Sequence, residues 1–271
     1  MNCKIRFISF LLLISATGPL QASSIKHIFI DINALITPST TAASKIIGII
    51  NSMKYTAVVG HIPCKFDFFR ALKNVPALTD QTTYNEDIAM PGILCDWLLG
   101  LQTNNTIKST INQYLEKSHY SDIEKTIFKN IITMMMTPTI FIDTQHLVKD
   151  FCKILQTLKK MGYTVYLIGN WDKESEPLLM KLLQGNFLPD PKHCYFSNKA
   201  KNLKPNAQYF DQLLKHFSTN SNPIAKHECL IIDVEKSHAQ AARSLGFSTI
   251  LLHGHSSTQL KSELSRVGIR L

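Results

Sequence analysis

The apolar positions along this chain alternate between short continuous runs and longer segments with helical spacing. The short runs are rich in β-branched and aromatic residues, which predicts buried strands at 25–30, 163–168, 194–196, 228–232 and 248–252. Apolar residues three and four positions apart predict helices at 143–161, 172–183, 205–217, 236–245 and 258–267. Strands that alternate with helices are typical of a parallel, doubly wound sheet. We therefore expect an α/β fold with a Rossmann-like core.

This alternation is interrupted after the first strand. Helical spacing predicts a helix at 42–53, and the run at 55–59 predicts a short strand closed by Gly60. From residue 61 to about 138 the pattern is helical without a clear strand, and the helix at 121–136 starts with a Ser-Asp-Ile-Glu capping box. We therefore predict a core formed by residues 23–60 and 140–271, with residues 61–139 inserted as a helical cap.

The first 22 residues have a different character. Lys4 and Arg6 precede an apolar run at 7–15, and small residues follow as far as Ala22. This order is typical of a secretory signal peptide, so residues 1–22 are expected to be removed and the protein exported, to the periplasm or the medium. An uncleaved anchor is disfavoured because crossing a bilayer takes roughly 20 apolar residues. No later run approaches that length, and no membrane span is expected after cleavage.

The charge balance is basic. The formal net charge of +9 falls to +7 when Lys4 and Arg6 leave with the predicted signal peptide. A positive field favours anionic partners such as phosphate esters. Basic and aromatic residues are not clustered together, so nucleic-acid binding is not expected.

Five cysteines remain after Cys3 leaves with the predicted signal peptide. They are Cys64, Cys95, Cys152, Cys194 and Cys229. An odd number in an exported protein requires at least one free thiol or a bridge between molecules. The sequence contains no Cys-x-x-Cys pair, which argues against a zinc site or a redox motif. Buried, unpaired thiols are the simpler interpretation.

Polar groups follow three of the predicted strands. These are Asp31, Gly169-Asn170 and Asp233. Because the carboxyl ends of parallel strands share one edge of a sheet, we expect these groups to converge on one ligand. Lys204, in a loop before a helix, is placed to join them.

Two carboxylates and a lysine suit phosphoryl transfer. One carboxylate attacks or orients, both hold a hard cation such as Mg²⁺, and the lysine neutralises charge. Each residue alone has a plainer explanation, since an aspartate at a strand end often caps a helix and an isolated lysine is normally at the surface. Their order and placement together favour a site.

The same segments resemble the four motifs of the haloacid dehalogenase-like (HAD-like) hydrolases. They are Asp31-Ile32-Asn33, Gly169-Asn170-Trp171-Asp172, Lys204-Pro205 and Ile231-Ile232-Asp233. The segment from Ile232 to Phe247 is the most specific part of the resemblance. The similarity covers residues 25–37 and 143–255, and the helical block between them is similar to the inserted cap of that family.

The resemblance implies roles for individual residues. Asp31 would be the nucleophile that forms an aspartyl-phosphate. Mg²⁺ would be bound by Asp31, by the main-chain carbonyl of Asn33 and by Asp233. The substrate phosphate would be bound by Gly169, Asn170 and Lys204, and Lys204 would also hold Asp31 in place.

Three departures from the family pattern bear on activity. Asn33 stands where the phosphatases usually have a second aspartate as general acid and base, and an amide cannot exchange a proton near neutral pH. Gly169 lacks the hydroxyl of the usual serine or threonine, and Val234 replaces the second acid of the metal motif, with Glu235 one position displaced. Loss of a positioned acid and base typically costs about 10²–10⁴-fold in rate.

Two main functions therefore follow from the sequence. The first is an Mg²⁺-dependent hydrolase of a small phosphorylated compound, with activity weakened by Asn33. The alternative is a catalytically impaired relative that binds a ligand or a partner through the cap. Other chemistry on the same fold, such as dehalogenation, stays open. The substrate and the oligomeric state are not indicated.

Overall fold

A computed structural model describes residues 25–85, 87–184 and 190–271. The predicted signal peptide at residues 1–22 lies outside these ranges. Within them, no helix combines the length and the apolar character needed to cross a bilayer.

The elements of the first half of the chain run from the central strand through the helical region. They are β1 (His27–Asp31), α1 (Ile32–Leu35), β2 (Ile36–Pro38), α2 (Thr40–Ile47), α3 (Ile49–Val59), α4 (Lys65–Leu72), β3 (Tyr84–Asn85), β4 (Ile88–Ala89), α5 (Gly92–Leu98), α6 (Asn104–Lys117), α7 (Asp122–Met136) and α8 (Pro138–Asp143). Below, "cap" denotes residues 40–136.

The second half alternates strands and helices. Its elements are β5 (Gln145–Leu147), α9 (Lys149–Lys160), β6 (Thr164–Gly169), α10 (Glu176–Leu183), β7 (Cys194–Phe196), α11 (Ser197–Ala200), α12 (Ala207–Phe217), β8 (Cys229–Asp233), α13 (Lys236–Ser244), β9 (Ser248–Leu251) and α14 (Ser257–Arg266).

A parallel five-stranded sheet with the order β7-β6-β1-β8-β9 forms the core. Strand β1 is central, and its five residues are all buried because apolar layers cover both faces of the sheet. Ile28 and Ile30 belong to one layer, whereas Phe29 lies in the other and stacks on Tyr166 with ring centroids 4.5 Å apart. This arrangement confirms the predicted doubly wound α/β core, and it places the carboxyl ends of β1, β6 and β8 side by side.

The cap has an apolar core of its own. Phe128 of α7 lies at its centre and contacts Tyr55, Phe68 and Tyr120 with ring centroids 5.5–6.4 Å apart. The capping box predicted for α7 is present, with Ser121 and Glu124 as its two residues. Leu203, the neighbour of Lys204, also packs into this cluster, so the cap and the loop of Lys204 share one apolar contact surface.

The structure corrects four local predictions. Residues 55–59 form helix rather than strand, because Tyr55 is buried against the cap while the helix continues to Gly60. The helix predicted at 42–53 is broken at Gly48, which has a φ of 86°. The helix predicted to begin at residue 143 begins at Lys149, since 145–147 pair with β2 instead. The region predicted without strands contains the small hairpin of β3 and β4.

All five cysteines within the described residues have free thiols. Cys64 is exposed, and the other members, Cys95, Cys152, Cys194 and Cys229, are buried. Burial raises the pKa of the Cys194 thiol to about 12, so this thiol stays protonated and unreactive.

Candidate active site

Asp31 lies at the carboxyl end of the central strand. It also caps the short helix α1, and its Oδ1 accepts a hydrogen bond from the backbone N–H of Asn33 at 2.8 Å. The capping role expected of a strand-ending aspartate is therefore real, but it uses one carboxylate oxygen. The other oxygen, Oδ2, faces the neighbouring strand ends.

Lys204 joins the two predicted carboxylates. Its Nζ contacts Oδ2 of Asp31 and Oδ2 of Asp233, and all three side chains are at most 1% exposed. The structure therefore brings together the three charged residues predicted from the sequence. Below, "charged triad" denotes Asp31, Lys204 and Asp233.

Asn170 fixes the backbone of Lys204. The backbone N–H of Lys204 donates to Asn170 Oδ1 at 2.9 Å, and Asn170 Nδ2 donates to the Lys204 carbonyl at 3.0 Å. An asparagine amide offers a donor and an acceptor side by side, which matches the two groups of one peptide segment. In this structure Asn170 positions the lysine, and the same amide also reaches the cap.

Burial governs the charge state of the triad. It raises the pKa of Asp31 above its ordinary value, although the Lys204 ammonium acts in the opposite direction. Burial also opposes ionisation of Asp233, but Lys204 and His238 outweigh it and hold the pKa of Asp233 well below its usual range. Burial likewise disfavours the charged lysine, yet Asp233 and Asp31 raise the pKa of Lys204 overall. One ammonium thus serves two carboxylates, of which Asp233 is held ionised while burial favours the protonated form of Asp31.

The end of β8 holds Asp233 through its other oxygen. Asp233 Oδ1 accepts a hydrogen bond from the backbone N–H of Glu235 at 2.9 Å and lies 3.5 Å from His238 Nδ1. His238 reaches this point from the first turn of α13 and is 4% exposed. Val234 and Glu235 line the adjoining cavity, so the position of the usual second acid carries an apolar side chain.

Gly169 ends β6 against Asp31. A Cβ atom at this position would lie 2.7 Å from Ile32 Cγ2 and 3.2 Å from Asp31 Oδ2. A serine or threonine there would force the buried Ile32 to move. The backbone N–H of Gly169 donates to the Tyr209 hydroxyl at 3.2 Å. The close packing of Ile32 against Gly169 therefore explains why position 169 has no side-chain hydroxyl.

A cavity of about 490 Å³ lies between this sheet edge and the cap. Its polar lining includes Asn33, Thr83, Asn170, Glu235 and His238. Its apolar lining includes Met90, Trp97, Met135, Phe141 and Trp171. Asn33 and Asn170 each contact both the cavity and a member of the charged triad, so the cavity adjoins the triad.

Part of the cavity wall is aromatic. Phe141 lies between two indoles, with ring centroids 5.3 Å from Trp171 and 5.8 Å from Trp97. Among the described residues of the lining, the buried Trp171 Nε1 has no hydrogen-bond partner. Buried polar atoms are normally satisfied, so this nitrogen indicates a place for a ligand.

One cap residue reaches the sheet edge. The Thr83 hydroxyl accepts a hydrogen bond from Asn170 Nδ2 at 2.9 Å and lies 3.3 Å from His238 Nε2. Neither Thr83 nor His238 was predicted from the sequence to belong to the site. Thr83 carries no recognisable signal in a helical region, and His238 is separated from it by 155 residues. His238 follows Asp233 closely in the sequence, which was the one available pointer.

The donors at this edge fit a hard divalent cation. Asp31 and Asp233 each direct one oxygen at the Lys204 ammonium and accept a backbone N–H with the other, which leaves a further lone pair on every carboxylate oxygen. The Asn33 carbonyl accepts a hydrogen bond from His255 Nε2 at 3.0 Å, which leaves its second lone pair for a ligand. Two carboxylates and a carbonyl are oxygen donors of the kind Mg²⁺ takes, with waters completing its shell.

Comparison with known proteins assigns the fold. No family model and no curated relative matches the chain. A HAD family enzyme of Bacteroides thetaiotaomicron, solved with magnesium and inorganic phosphate, superposes with a TM-score of 0.55 at 18% identity, covering 87% of this chain and 98% of that one. A predicted HAD-like family hydrolase from Porphyromonas gingivalis gives 0.54 at 12% identity, covering 90% and 98%. A dehalogenase gives 0.52 at 13% identity, covering 85% of each chain.

Proposed function

We propose that this chain, which has the fold of the HAD-like hydrolases, hydrolyses a small phosphate monoester with Mg²⁺, using Asp31 as the nucleophile. The observation that carries this proposal is the charged triad. Asp31 and Asp233 contact the same buried Lys204 at the sheet edge, next to a cavity of about 490 Å³. Two carboxylates that share one ammonium are costly to bury, and such arrangements are characteristic of functional sites.

The reaction would proceed in two displacements. The Asp31 carboxylate attacks phosphorus, the phosphorus–oxygen ester bond breaks, and the ester oxygen leaves as an anion with the bonding electron pair and takes a proton from water. Water then attacks phosphorus of the aspartyl-phosphate and loses a proton to solvent, the bond between phosphorus and the Asp31 oxygen breaks, and phosphate and the free carboxylate are released. The Asn33 N–H orients Asp31, and the Lys204 ammonium reduces the repulsion between the carboxylate and the anionic ester. Mg²⁺ would be held by Asp31, Asp233 and the Asn33 carbonyl, and it would supply further neutralisation of charge.

Asn33 determines which substrates are suitable. The amide side chain is exposed to the cavity but cannot protonate a leaving alkoxide. The leaving group must therefore be stable as an anion or take its proton from water. Aryl esters meet this requirement, and the wall formed by Trp97, Phe141 and Trp171 suits a flat apolar group.

The second candidate is a protein that binds a phosphorylated ligand without turning it over. The observation in its favour is the cavity lining, where an amide and a valine, Asn33 and Val234, occupy the positions of two acids. The charged triad, the cavity and the unpaired Trp171 indole nitrogen would then bind the ligand. The two candidates differ only in whether Asp31 becomes phosphorylated and is then dephosphorylated.

An assay with p-nitrophenyl phosphate tests the proposal. The wild-type protein and the Asp31→Asn variant are compared with and without Mg²⁺, beside an Asp211→Asn control at an exposed ion pair with Lys226. We expect Mg²⁺-stimulated hydrolysis in the wild type and in the control, and none above background in Asp31→Asn. Absence of hydrolysis, or equal rates in all three proteins, would refute the hydrolase. Binding of phosphate without hydrolysis would favour the second candidate.

The expected export of the protein is also a proposal. It is supported by the charged start, apolar run and small-residue exit of residues 1–22. Amino-terminal sequencing of the protein recovered from the exported fraction tests it. The expected first residue is Ser23, and an intact amino terminus inside the cell would contradict it.

A further inference from the structure

Exposed apolar side chains are concentrated in one part of the cap. Among the described residues, ten large apolar side chains are exposed, and seven of them lie between residues 49 and 78. They are Ile49, Ile50, Met53, Val58, Ile62, Phe66 and Leu78. Single apolar residues scattered over a surface are normal, whereas a concentration of them marks an interaction site.

Helix α3 carries the densest part of this surface. Ile49, Ile50 and Met53 are 69–70% exposed, and helical geometry places them within one arc of about 100°. On the opposite side, Tyr55 is 1% exposed and packs edge-on against Phe128 with centroids 6.4 Å apart. The helix is therefore anchored to the cap by its inner side. Below, "outer face of α3" denotes Ile49, Ile50 and Met53.

The segment that carries the outer face is basic. The sequence has no acidic residue between Asp31 and Asp67, while Lys45, Lys54 and Lys65 fall in this interval. Lys45 and Lys54 are exposed, and neither forms an ion pair with a carboxylate in the described part of the chain. Exposed aliphatic residues beside unpaired lysines complement a surface that is apolar inside and anionic at its rim.

A phospholipid surface matches this pattern better than a second copy of the chain. In a two-fold symmetric dimer the same patch faces itself, so the positive charges of Lys45 and Lys54 would be brought near the same charges of the second copy. We propose that the outer face of α3 docks the cap onto an anionic phospholipid surface. The three aliphatic side chains enter the boundary between headgroups and acyl chains, and the two lysines lie near lipid phosphates. The helix has 11 residues and lies in the plane of the surface rather than crossing it.

This inference does not depend on the chemistry of Asp31. The outer face belongs to the cap, whereas the charged triad belongs to the sheet edge. Membrane docking would therefore persist in the Asp31→Asn variant, and loss of docking would leave the hydrolysis of a soluble aryl phosphate unchanged.

Vesicle sedimentation of the full chain tests the inference. The vesicles contain phosphatidylcholine alone or an equal mixture of phosphatidylcholine and phosphatidylglycerol, at low and at high sodium chloride. Wild type is compared with the double variant Ile50→Gln, Met53→Gln and with the matched control Leu101→Gln, Met161→Gln. The control residues are 43% and 44% exposed and lie outside the outer face. A third variant, Lys45→Glu with Lys54→Glu, tests the role of charge.

We expect wild type and control to bind the mixed vesicles equally, and more weakly at high salt. The Ile50, Met53 double variant should partition at least about tenfold less, because two apolar side chains that would enter the membrane are replaced by polar ones. The charge-reversed protein should lose its preference for phosphatidylglycerol. Circular dichroism should give all four proteins the same melting temperature, because exposed side chains are changed.

Three outcomes would overturn the inference. The first is equal binding by wild type and the Ile50, Met53 double variant, which would assign any membrane affinity to another segment such as residues 1–24. The second is equal binding to the two kinds of vesicle. The third is a dimer in light scattering that the Ile50, Met53 substitutions abolish, which would identify the outer face as a contact between copies of the chain.

Discussion

The sheet edge and the cap depart from the usual distribution of residues in opposite directions. At the sheet edge three charged side chains are at most 1% exposed, although such residues normally face water. In the cap, Ile49, Ile50 and Met53 are about 70% exposed, although such residues are normally buried. The buried charges all have partners within the chain, whereas the exposed aliphatic residues of α3 have none in the described structure.

This contrast separates the charged triad, which the fold must hold in place, from the outer face of α3, which is exposed to a partner. The carboxyl ends of strands β1 and β8 fix the two carboxylates. The hydrogen bonds of the Asn170 amide to the Lys204 backbone fix the lysine between them. Each charge therefore depends on its neighbours, and removal of one should disturb the rest. The outer face of α3 is supported from behind by Tyr55 and should tolerate change. The cavity lies between the two regions, where rigid polar groups of the core meet apolar groups of the cap.

The largest expected effect is at Asn33, where the sheet edge opens into the cavity. Asn33→Asp supplies the carboxyl group that can exchange protons with the leaving group and with water. We expect kcat for p-nitrophenyl phosphate to rise by up to about 10²–10⁴-fold. Steady-state kinetics check this, with the exposed Asn220→Asp as a control. An unchanged rate would mean that the missing acid and base is not what limits turnover.

Lys204→Met tests whether the buried charges depend on one another. This substitution leaves two buried carboxylates facing each other without a cation. We expect the free energy of unfolding to fall by about 3–5 kcal/mol near neutral pH. Urea denaturation measures it, and the exposed pair Lys153–Asp150 supplies the control, since Lys153→Met should cost at most about 1 kcal/mol. Equal losses in the two variants would show that the triad is not a coupled unit.

The cap prediction compares an inner and an outer apolar residue. Phe128 is 1% exposed, and Phe128→Ala should cost about 3–5 kcal/mol in the free energy of unfolding. Ile50 is 69% exposed, and Ile50→Ala should change it by at most about 0.5 kcal/mol. The same denaturation experiment measures both. A large loss for Ile50→Ala would mean that the outer face is covered by this chain itself.

Trp171→Phe has the smallest expected effect. It removes the unpaired indole N–H from the cavity and keeps an aromatic ring. We expect KM for an aryl phosphate to rise about twofold to tenfold with little change in kcat, as for one lost hydrogen bond. Trp97→Phe is the matched control, because its indole N–H already donates to Asn104 Oδ1 at 3.1 Å. A KM change in the control alone would place the substrate away from Trp171.

Much of the core could be predicted from the sequence because strands buried on both faces form continuous apolar runs. Residues 25–30 are such a run, and the aspartate that ends it marks the edge where ligands bind. The same reasoning failed at residues 55–59, where β-branched residues suggested a strand. There, the packing of Tyr55 against Phe128 stabilises a helix instead, and the two residues are 73 positions apart in the chain.

The charged triad could be predicted from the sequence, but the residues that surround it could not. Asp31 and Asp233 end strands and Lys204 precedes a proline, so their convergence follows from topology. Thr83 meets Asn170 and His238 only because the cap folds back over the sheet. The packing of Ile32 against Gly169 also depends on how β6 approaches β1, which no local pattern records.

Trapping of the phosphorylated protein tests the central claim most directly. Wild type and Asp31→Asn are mixed with an aryl phosphate and Mg²⁺, quenched in acid within the first turnovers, and digested for peptide mass spectrometry. Because Asn33 cannot activate water, we expect the aspartyl-phosphate to accumulate on the wild-type peptide that contains Asp31 and to be absent from the variant. Hydrolysis with no phosphoryl group on that peptide, or with the group on another residue, would contradict Asp31 as the nucleophile.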